Sequence, residues 1–135
     1  MKLTREEVLN TIKIAHGNDE TPNLRKADLW WVDLNQVNLQ GADLCHAYLR
    51  RANLSQTNLQ GSNLGEADMS AANLRGANLR RADLHTADLH EADLCQADLR
   101  ETDLRGANLC RAKYNDETMW PTNFDPTQVD AIHQE

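Results

Sequence analysis

The sequence predicts a solenoid built from five-residue units, and two observations carry this prediction. From Leu24 to Tyr114 every fifth residue is large and apolar, with seventeen leucines, Met69 and Tyr114 at the nineteen positions. The residue two positions earlier is small, and it is alanine in thirteen units. A period of five fits neither an α-helix nor a β-strand. It predicts a chain that turns once per unit and points each large residue, together with the small one, toward a common axis.

The residue immediately before the large one is Asp or Asn in seventeen units, with Tyr48 and Lys113 as the exceptions. Short polar side chains of this kind hydrogen-bond to nearby backbone and accept turn conformations. Since Asn fills the position about as often as Asp, we interpret the position as structural rather than catalytic. We expect this position, and the two that follow the large residue, to face water.

The tandem motif A[D/N]LXX, seen cleanly as ADLHT at residues 82–86 and ADLCQ at 92–96, resembles the pentapeptide-repeat family over residues 22–114. The resemblance implies an all-β fold, a right-handed quadrilateral β-helix with four units in each twenty-residue coil. With neighbouring coils about 4.8 Å apart, somewhat under five coils give a solenoid roughly 23 Å long.

The N-terminal residues 1–21 are predicted to form a capping helix and a link, because an open solenoid exposes its core and unpaired backbone groups. Residues 4–7 (TREE) fit a capping box. A helix is predicted from Arg5 to His16, with Gly17 as its stop. Its buried face should comprise Val8, Ile12 and Ala15.

Residues 115–135 are predicted to form an irregular or short-helical C-terminal cap. Their aromatic and proline-containing sequence resembles the tails of cyanobacterial members of the family. Asp125 as N-cap and Pro126 as first helical residue predict a short helix that carries Val129 and Ile132. Because some family members dimerise through this end, a homodimer through the C-terminal end is the alternative to a simple cap.

The sequence offers no arrangement typical of an enzyme: no catalytic triad and no glycine-rich phosphate loop. His90 and Cys110 lie twenty residues apart and should stack in adjacent coils, but two ligands do not make a zinc site. We therefore predict a protein that is not an enzyme and has no metal, cofactor or small-molecule substrate.

The chain has no apolar run near the ~20 residues of a membrane span, and its first residues lack an apolar signal region. We therefore expect a cytoplasmic protein without membrane contact. Cys45, Cys95 and Cys110 occupy outward positions on three different sides of the predicted solenoid. A disulfide between any two is not expected, as suits a reducing compartment.

The net charge of −7 raises the question of DNA mimicry, because the resemblance includes quinolone-resistance proteins that present an acidic rod to DNA gyrase. The repeat region, however, holds twelve acids against eleven bases, while residues 115–135 hold five acids and no base. The four sides carry net charges of −1, −1, 0 and +1, far from one charge per about 1.7 Å of duplex. Gyrase-directed mimicry is therefore the alternative function, and nucleic-acid binding is not favoured, the basic corner of Arg80, Arg81 and Arg100 being small.

Trp30 and Trp31 occupy the two outward positions after a core leucine, and Arg50 and Arg51 occupy the same positions one coil later. Adjacent tryptophans beside arginines have the composition of an interface hot spot, with cation–π stacking between them. We predict a non-catalytic scaffold that binds an unknown protein partner through these four residues or through the acidic tail. The alternative is that residues 1–21 fold over the tryptophans.

Overall fold

The computed structural model describes all 135 residues and shows a solenoid with a twenty-residue coil. Parallel backbone bridges join residues twenty positions apart, from Asn23 with Asp43 to Asp93 with Lys113. Each coil therefore contains four five-residue units. The columns expected from the sequence are present: Asn23, Asp43, Asn63, Asp83 and Asp103 bridge one another in order.

Each five-residue unit closes with a tight turn. The carbonyl of Leu24 accepts from the amide of Ala27 at 3.1 Å, and the intervening Lys26 has a φ of 57°. A positive φ at the third residue is the signature of a type II turn. The same left-handed conformation recurs in every unit through Arg111, which is why glycines are found at this position.

The Asp/Asn position stabilises these turns directly. In sixteen of the seventeen units with Asp or Asn, the side-chain oxygen accepts from the amide two residues on, as Asp43 does from Cys45 at 3.1 Å. Asp28 is the exception, and its Oδ1 is buried without a hydrogen-bond partner. The geometry explains why Asn serves as well as Asp, because the bond needs only an oxygen acceptor.

The core consists of stacked leucines and alanines. Leu29 to Leu99, every fifth residue, are fully buried together with Met69, and the small residues two positions earlier line the same interior. Burying one leucine side chain is worth about 1.5–3 kcal/mol, so the repeated column supplies most of the stability.

Helix α1 spans Arg5–Gly17, and its Val8 and Ile12 belong to the same apolar cluster as the leucines of the first coil. Thr4 is its N-cap and accepts from the amide of Glu7 at 3.1 Å. Val8, Ile12 and Ala15 form the buried face. The helix ends one residue later than expected, with Gly17 inside it and Asn18 as C-cap. The amide of Leu3 donates to the carbonyl of Asp28, so the N-terminus also pairs with the solenoid edge.

The C-terminal segment differs from the expected cap. Asp125 does cap a short 3₁₀ helix, Pro126–Gln128, but Ile132 does not lie on it. Strand β2, Ile132–His133, instead pairs in parallel with strand β1, Lys113–Tyr114. The amide of Ile132 donates to the carbonyl of Ala112 at 2.7 Å, which pairs a backbone group of the open solenoid edge.

The tail also continues the solenoid core with aromatic residues. Met119 bridges Asp98, a spacing of 21 residues, so the turn before it contains one extra residue. Trp120 consequently takes the position that a leucine holds in other units. Its ring lies 5.6 Å from that of Tyr114 and stacks at 4.9 Å on Phe124. Neither helix has the length and apolar character needed to cross a membrane.

The three cysteines are free thiols, but two of them are not at the surface. Cys45 and Cys95 occupy outward positions and yet are buried, which corrects the expectation from the sequence. The long side chains of Arg25 and Arg75, one coil earlier, extend over them to reach Asp43 and Asp93. Burial raises the pKa of the Cys95 thiol.

Candidate interaction surface

The solenoid holds Trp30 and Trp31 rigidly at one of its corners. The amide of Trp31 donates to the carbonyl of Arg50 in the next coil at 3.0 Å, and its φ of 64° is that of the repeated turn. Arg51 is fixed in the same way by the carbonyl of Ser70 at 2.9 Å. The side chains therefore project from a hydrogen-bonded backbone rather than from a free loop.

Both tryptophans are exposed, Trp30 to 47% and Trp31 to 54%. Residues 1–21 do not cover them, so the alternative considered from the sequence is not what the structure shows. Helix α1 packs over the end of the core instead. From this segment, the ammonium of Lys2 lies 5.1 Å from the centre of the Trp30 ring, and Met1 lines a groove beside Trp30.

The predicted cation–π contact is present between Arg51 and Trp31. The guanidinium carbon of Arg51 lies 5.1 Å from the centre of the Trp31 ring. The two indoles are tilted by 57° with their centres 6.4 Å apart. Arg50 lies beside them without stacking on either ring. The structure thus brings together all four residues singled out from the sequence.

A fifth residue, Tyr48, belongs to the same surface and is 54% exposed. With Trp30, Trp31, Arg50, Arg51 and Asp68 it lines a groove of about 460 Å³. The sequence carried a signal for it, since Tyr48 replaces Asp or Asn at the turn position, but a single exception to a repeat does not reveal its neighbours. We call Trp30, Trp31, Tyr48, Arg50 and Arg51 the tryptophan surface.

The other groups considered from the sequence do not assemble into a reactive site. No group of three or more His, Cys, Asp or Glu side chains is placed to hold a metal ion. His90 pairs with Glu91 at 3.2 Å. The basic corner is neutralised, because Arg81 pairs with Glu101 and Arg100 with Asp98, each at 2.7 Å.

Comparison with known proteins gives the same family as the repeat. The family model described as pentapeptide repeats matches eight copies, at residues 23–61, 47–90 and 87–113. Among proteins of curated function, none matches the chain in sequence.

Among solved structures, the chain is similar to HetL of the cyanobacterium Nostoc sp. strain PCC 7120, a pentapeptide repeat protein involved in the regulation of heterocyst differentiation. The two are 37% identical with a TM-score of 0.74, over 85% of this chain and 47% of HetL. The chain thus spans about half the length of that relative.

Two further structures share the repeat. A pentapeptide repeat protein from the cyanobacterium Cyanothece 51142 is 32% identical, with a TM-score of 0.50 over 73% of this chain and 64% of its own. QnrB1, a plasmid-mediated fluoroquinolone resistance protein, is 18% identical with a TM-score of 0.51, over 82% of this chain and 59% of its own. At that identity the likeness to QnrB1 concerns the fold alone.

Proposed function

Because the chain belongs to the pentapeptide-repeat family, we propose that it is a non-catalytic scaffold that presents the tryptophan surface to a protein partner. On this proposal the solenoid is the right-handed quadrilateral β-helix implied by the family resemblance, and it acts in the cytoplasm. Three free cysteines support a reducing compartment.

The observation that carries the proposal is the exposure of two adjacent tryptophans on a rigid corner. An exposed indole leaves a large apolar ring in water, and two together with Tyr48 form a concentrated apolar patch. Tryptophan, tyrosine and arginine are the residues most enriched in interface hot spots. Rigid backbone hydrogen bonds reduce the entropy that binding would cost.

A gyrase-directed DNA mimic is supported less well. The carboxylates of the solenoid are largely engaged by arginines of the same chain rather than left as a continuous negative face. The guanidinium of Arg105, for example, donates to Asp103 at 2.7 Å and lowers the pKa of that carboxyl to about 2. Arg25 and Arg75 pair similarly with Asp43 and Asp93.

A homodimer formed through the C-terminal end is a separate possibility from partner binding at the tryptophan surface. Met119 and Ile132 are both exposed there, although the five acids of the tail would repel a second copy. Light scattering across ionic strengths tests this arrangement on its own, because salt should favour such a dimer by screening the repulsion.

The experiment is affinity capture from a lysate of the source organism with three forms of the protein. The parent is compared with Trp30→Ala/Trp31→Ala and with Leu9→Ala/Ile14→Ala, a control that removes two exposed apolar side chains from helix α1. Circular dichroism confirms that all three are folded. The proposal predicts a partner that the parent and the control retain and the tryptophan variant loses. Equal capture by all three forms contradicts it.

A further inference from the structure

The arginines of the tryptophan surface differ from the other arginines of the chain. The sequence contains ten arginines, and eight of them form an ion pair with a carboxylate of the same chain. Arg50 and Arg51 are the two that do not. Both therefore keep a positive charge beside the groove, and the guanidinium of Arg51 stacks on the Trp31 ring.

Unpaired lysines enlarge this positive region. Lys26 lines a second groove of about 390 Å³ with Met1, Asp28, Trp30 and Tyr48, and Lys2 lies over the Trp30 ring. The two grooves adjoin, since Trp30 and Tyr48 line both. Three bases, Arg50, Arg51 and Lys26, line the two grooves together with two acids, Asp28 and Asp68, and Lys2 lies beside them over the Trp30 ring.

We infer that the tryptophan surface binds an acidic peptide segment of its partner, with carboxylates on Arg50 and Arg51 and an apolar side chain between the aromatic rings. This inference rests on the proposed function and names the chemistry of the partner. Guanidinium groups with free donors bind carboxylates through paired, charge-assisted hydrogen bonds. The aromatic walls supply the apolar contact that a purely electrostatic site lacks.

A peptide fits these charges better than a nucleic acid does. A polynucleotide requires a basic track along its backbone, whereas the bases here form one small patch on a chain of net charge −7. Asp28 and Asp68 would also lie against its phosphates. A segment with one or two carboxylates needs only Arg50 and Arg51, and Asp68 is the one acid that lines the same groove.

The test is selection of a library of random linear peptides on the full chain. It is run on the parent, on Trp30→Ala/Trp31→Ala, on Arg50→Glu/Arg51→Glu, and on Lys13→Glu/Lys113→Glu. The last variant makes the same change in net charge at two other bases without an ion pair. We expect the parent and the lysine control to enrich peptides that combine Asp or Glu with an apolar residue. The arginine variant should lose them.

Fluorescence anisotropy of one enriched peptide makes the result quantitative. Binding to Arg50→Glu/Arg51→Glu should be weaker by at least about tenfold, and binding to the parent should weaken with added salt. Thermal melting shows whether each variant is folded. Arg50→Lys/Arg51→Lys, which keeps the charge, should retain part of the affinity.

The outcomes separate this inference from the proposed function. Neutral peptides that depend on Trp30 and Trp31 but bind the arginine variant equally well would overturn the inference and leave the proposed function standing. Peptides whose binding depends neither on the two tryptophans nor on the two arginines would overturn both the inference and the proposed function. Binding of a single-stranded oligonucleotide without enrichment of acidic peptides would also overturn the inference. A self-association that Arg50→Glu/Arg51→Glu abolishes would support it, with the acidic tail of a second copy as the segment.

Discussion

The guanidinium of Arg51 lies 5.1 Å from the ring of Trp31, one coil earlier in the solenoid. The contact joins two residues at equivalent positions of successive coils, both in the left-handed turn conformation. We expect a coupling of about 0.5–1 kcal/mol between them, the usual value for an exposed cation–π pair. A double-mutant cycle in urea unfolding, with Arg51→Met and Trp31→Leu, measures it. Additive effects of the two substitutions would show that the stacking contributes nothing.

A close approach between Gly65 and His85 gives a second prediction. A Cβ at position 65 would lie 2.8 Å from Nδ1 and 3.1 Å from Nε2 of the His85 ring. Gly65→Ala should therefore displace the half-exposed ring and lower the free energy of unfolding by about 0.5–1.5 kcal/mol, the cost of holding a side chain away from its preferred rotamer. The measurement is urea unfolding of the variant beside the parent.

The control is the double variant Gly65→Ala/His85→Ala, which removes the ring and should recover much of the loss. A loss that persists in the double variant would point to the backbone at Gly65 rather than to the ring. Gly61→Ala provides a comparison, because no atom lies near its added Cβ but its φ is +67°. It should cost about 1–2 kcal/mol through conformation alone.

The leucine column predicts a large effect in the centre of the solenoid. Leu74 is fully buried between coils, so Leu74→Ala should lower the free energy of unfolding by about 2–5 kcal/mol. Leu9→Ala, on the exposed side of helix α1, should stay within about 0.5 kcal/mol of the parent. Equal losses for the two leucines would contradict a core made of this column.

These predictions also show how far the sequence determines the structure. A period of five requires a turn in each unit, and this local rule predicts the solenoid. The twenty-residue coil and its columns followed from the resemblance to the pentapeptide-repeat family, and the cap helix followed from the capping box at residues 4–7. Whether an outward residue is covered depends on the side chain one coil away. Cys45 and Cys95 are buried beside Arg25 and Arg75 of the preceding coil, and no local pattern reveals this.

The same difference between local and distant contacts explains which predictions for the C-terminal segment were correct. The Asp125 cap is a local signal, and it was predicted correctly. The pairing of Ile132 with Lys113 depends on an open edge many residues away, so the apolar residue was placed on a helix by mistake. The tryptophan surface was largely predictable, because a twenty-residue coil places residues 30 and 31 directly beside residues 50 and 51. Tyr48 lies in a different column of the solenoid, between Asp28 and Asp68, and its part in this surface was not predicted.

The imidazole of His85 makes the free energy of unfolding depend on pH near neutrality. A hydrogen bond from its ring to Asp83 at 2.7 Å, reinforced by the charges of Asp83, Glu66 and Asp103, raises its pKa above the usual value of about 6.5. The pKa of His85 is higher in the folded than in the unfolded protein, so the protonated ring stabilises the fold. This stabilisation is complete below about pH 6.5. It is lost as the pH rises through the raised value.

NMR titration of the His85 ring in the parent and in Asp83→Asn measures this shift. The titration midpoint should move down toward the usual value in Asp83→Asn, and unfolding of that variant should lose the pH dependence above about pH 6.5. An unchanged midpoint would mean that the Asp83 contact does not hold the proton.

The most direct test of the tryptophan surface is photo-cross-linking from inside its groove. A benzoylphenylalanine at position 48 replaces one exposed ring by another, and the same group at Ile14 on helix α1 is the control. In cells of the source organism the account predicts a protein adduct from position 48 that Trp30→Ala/Trp31→Ala prevents, and none from position 14. Adducts that form equally from both positions, or that persist without the tryptophans, would contradict it.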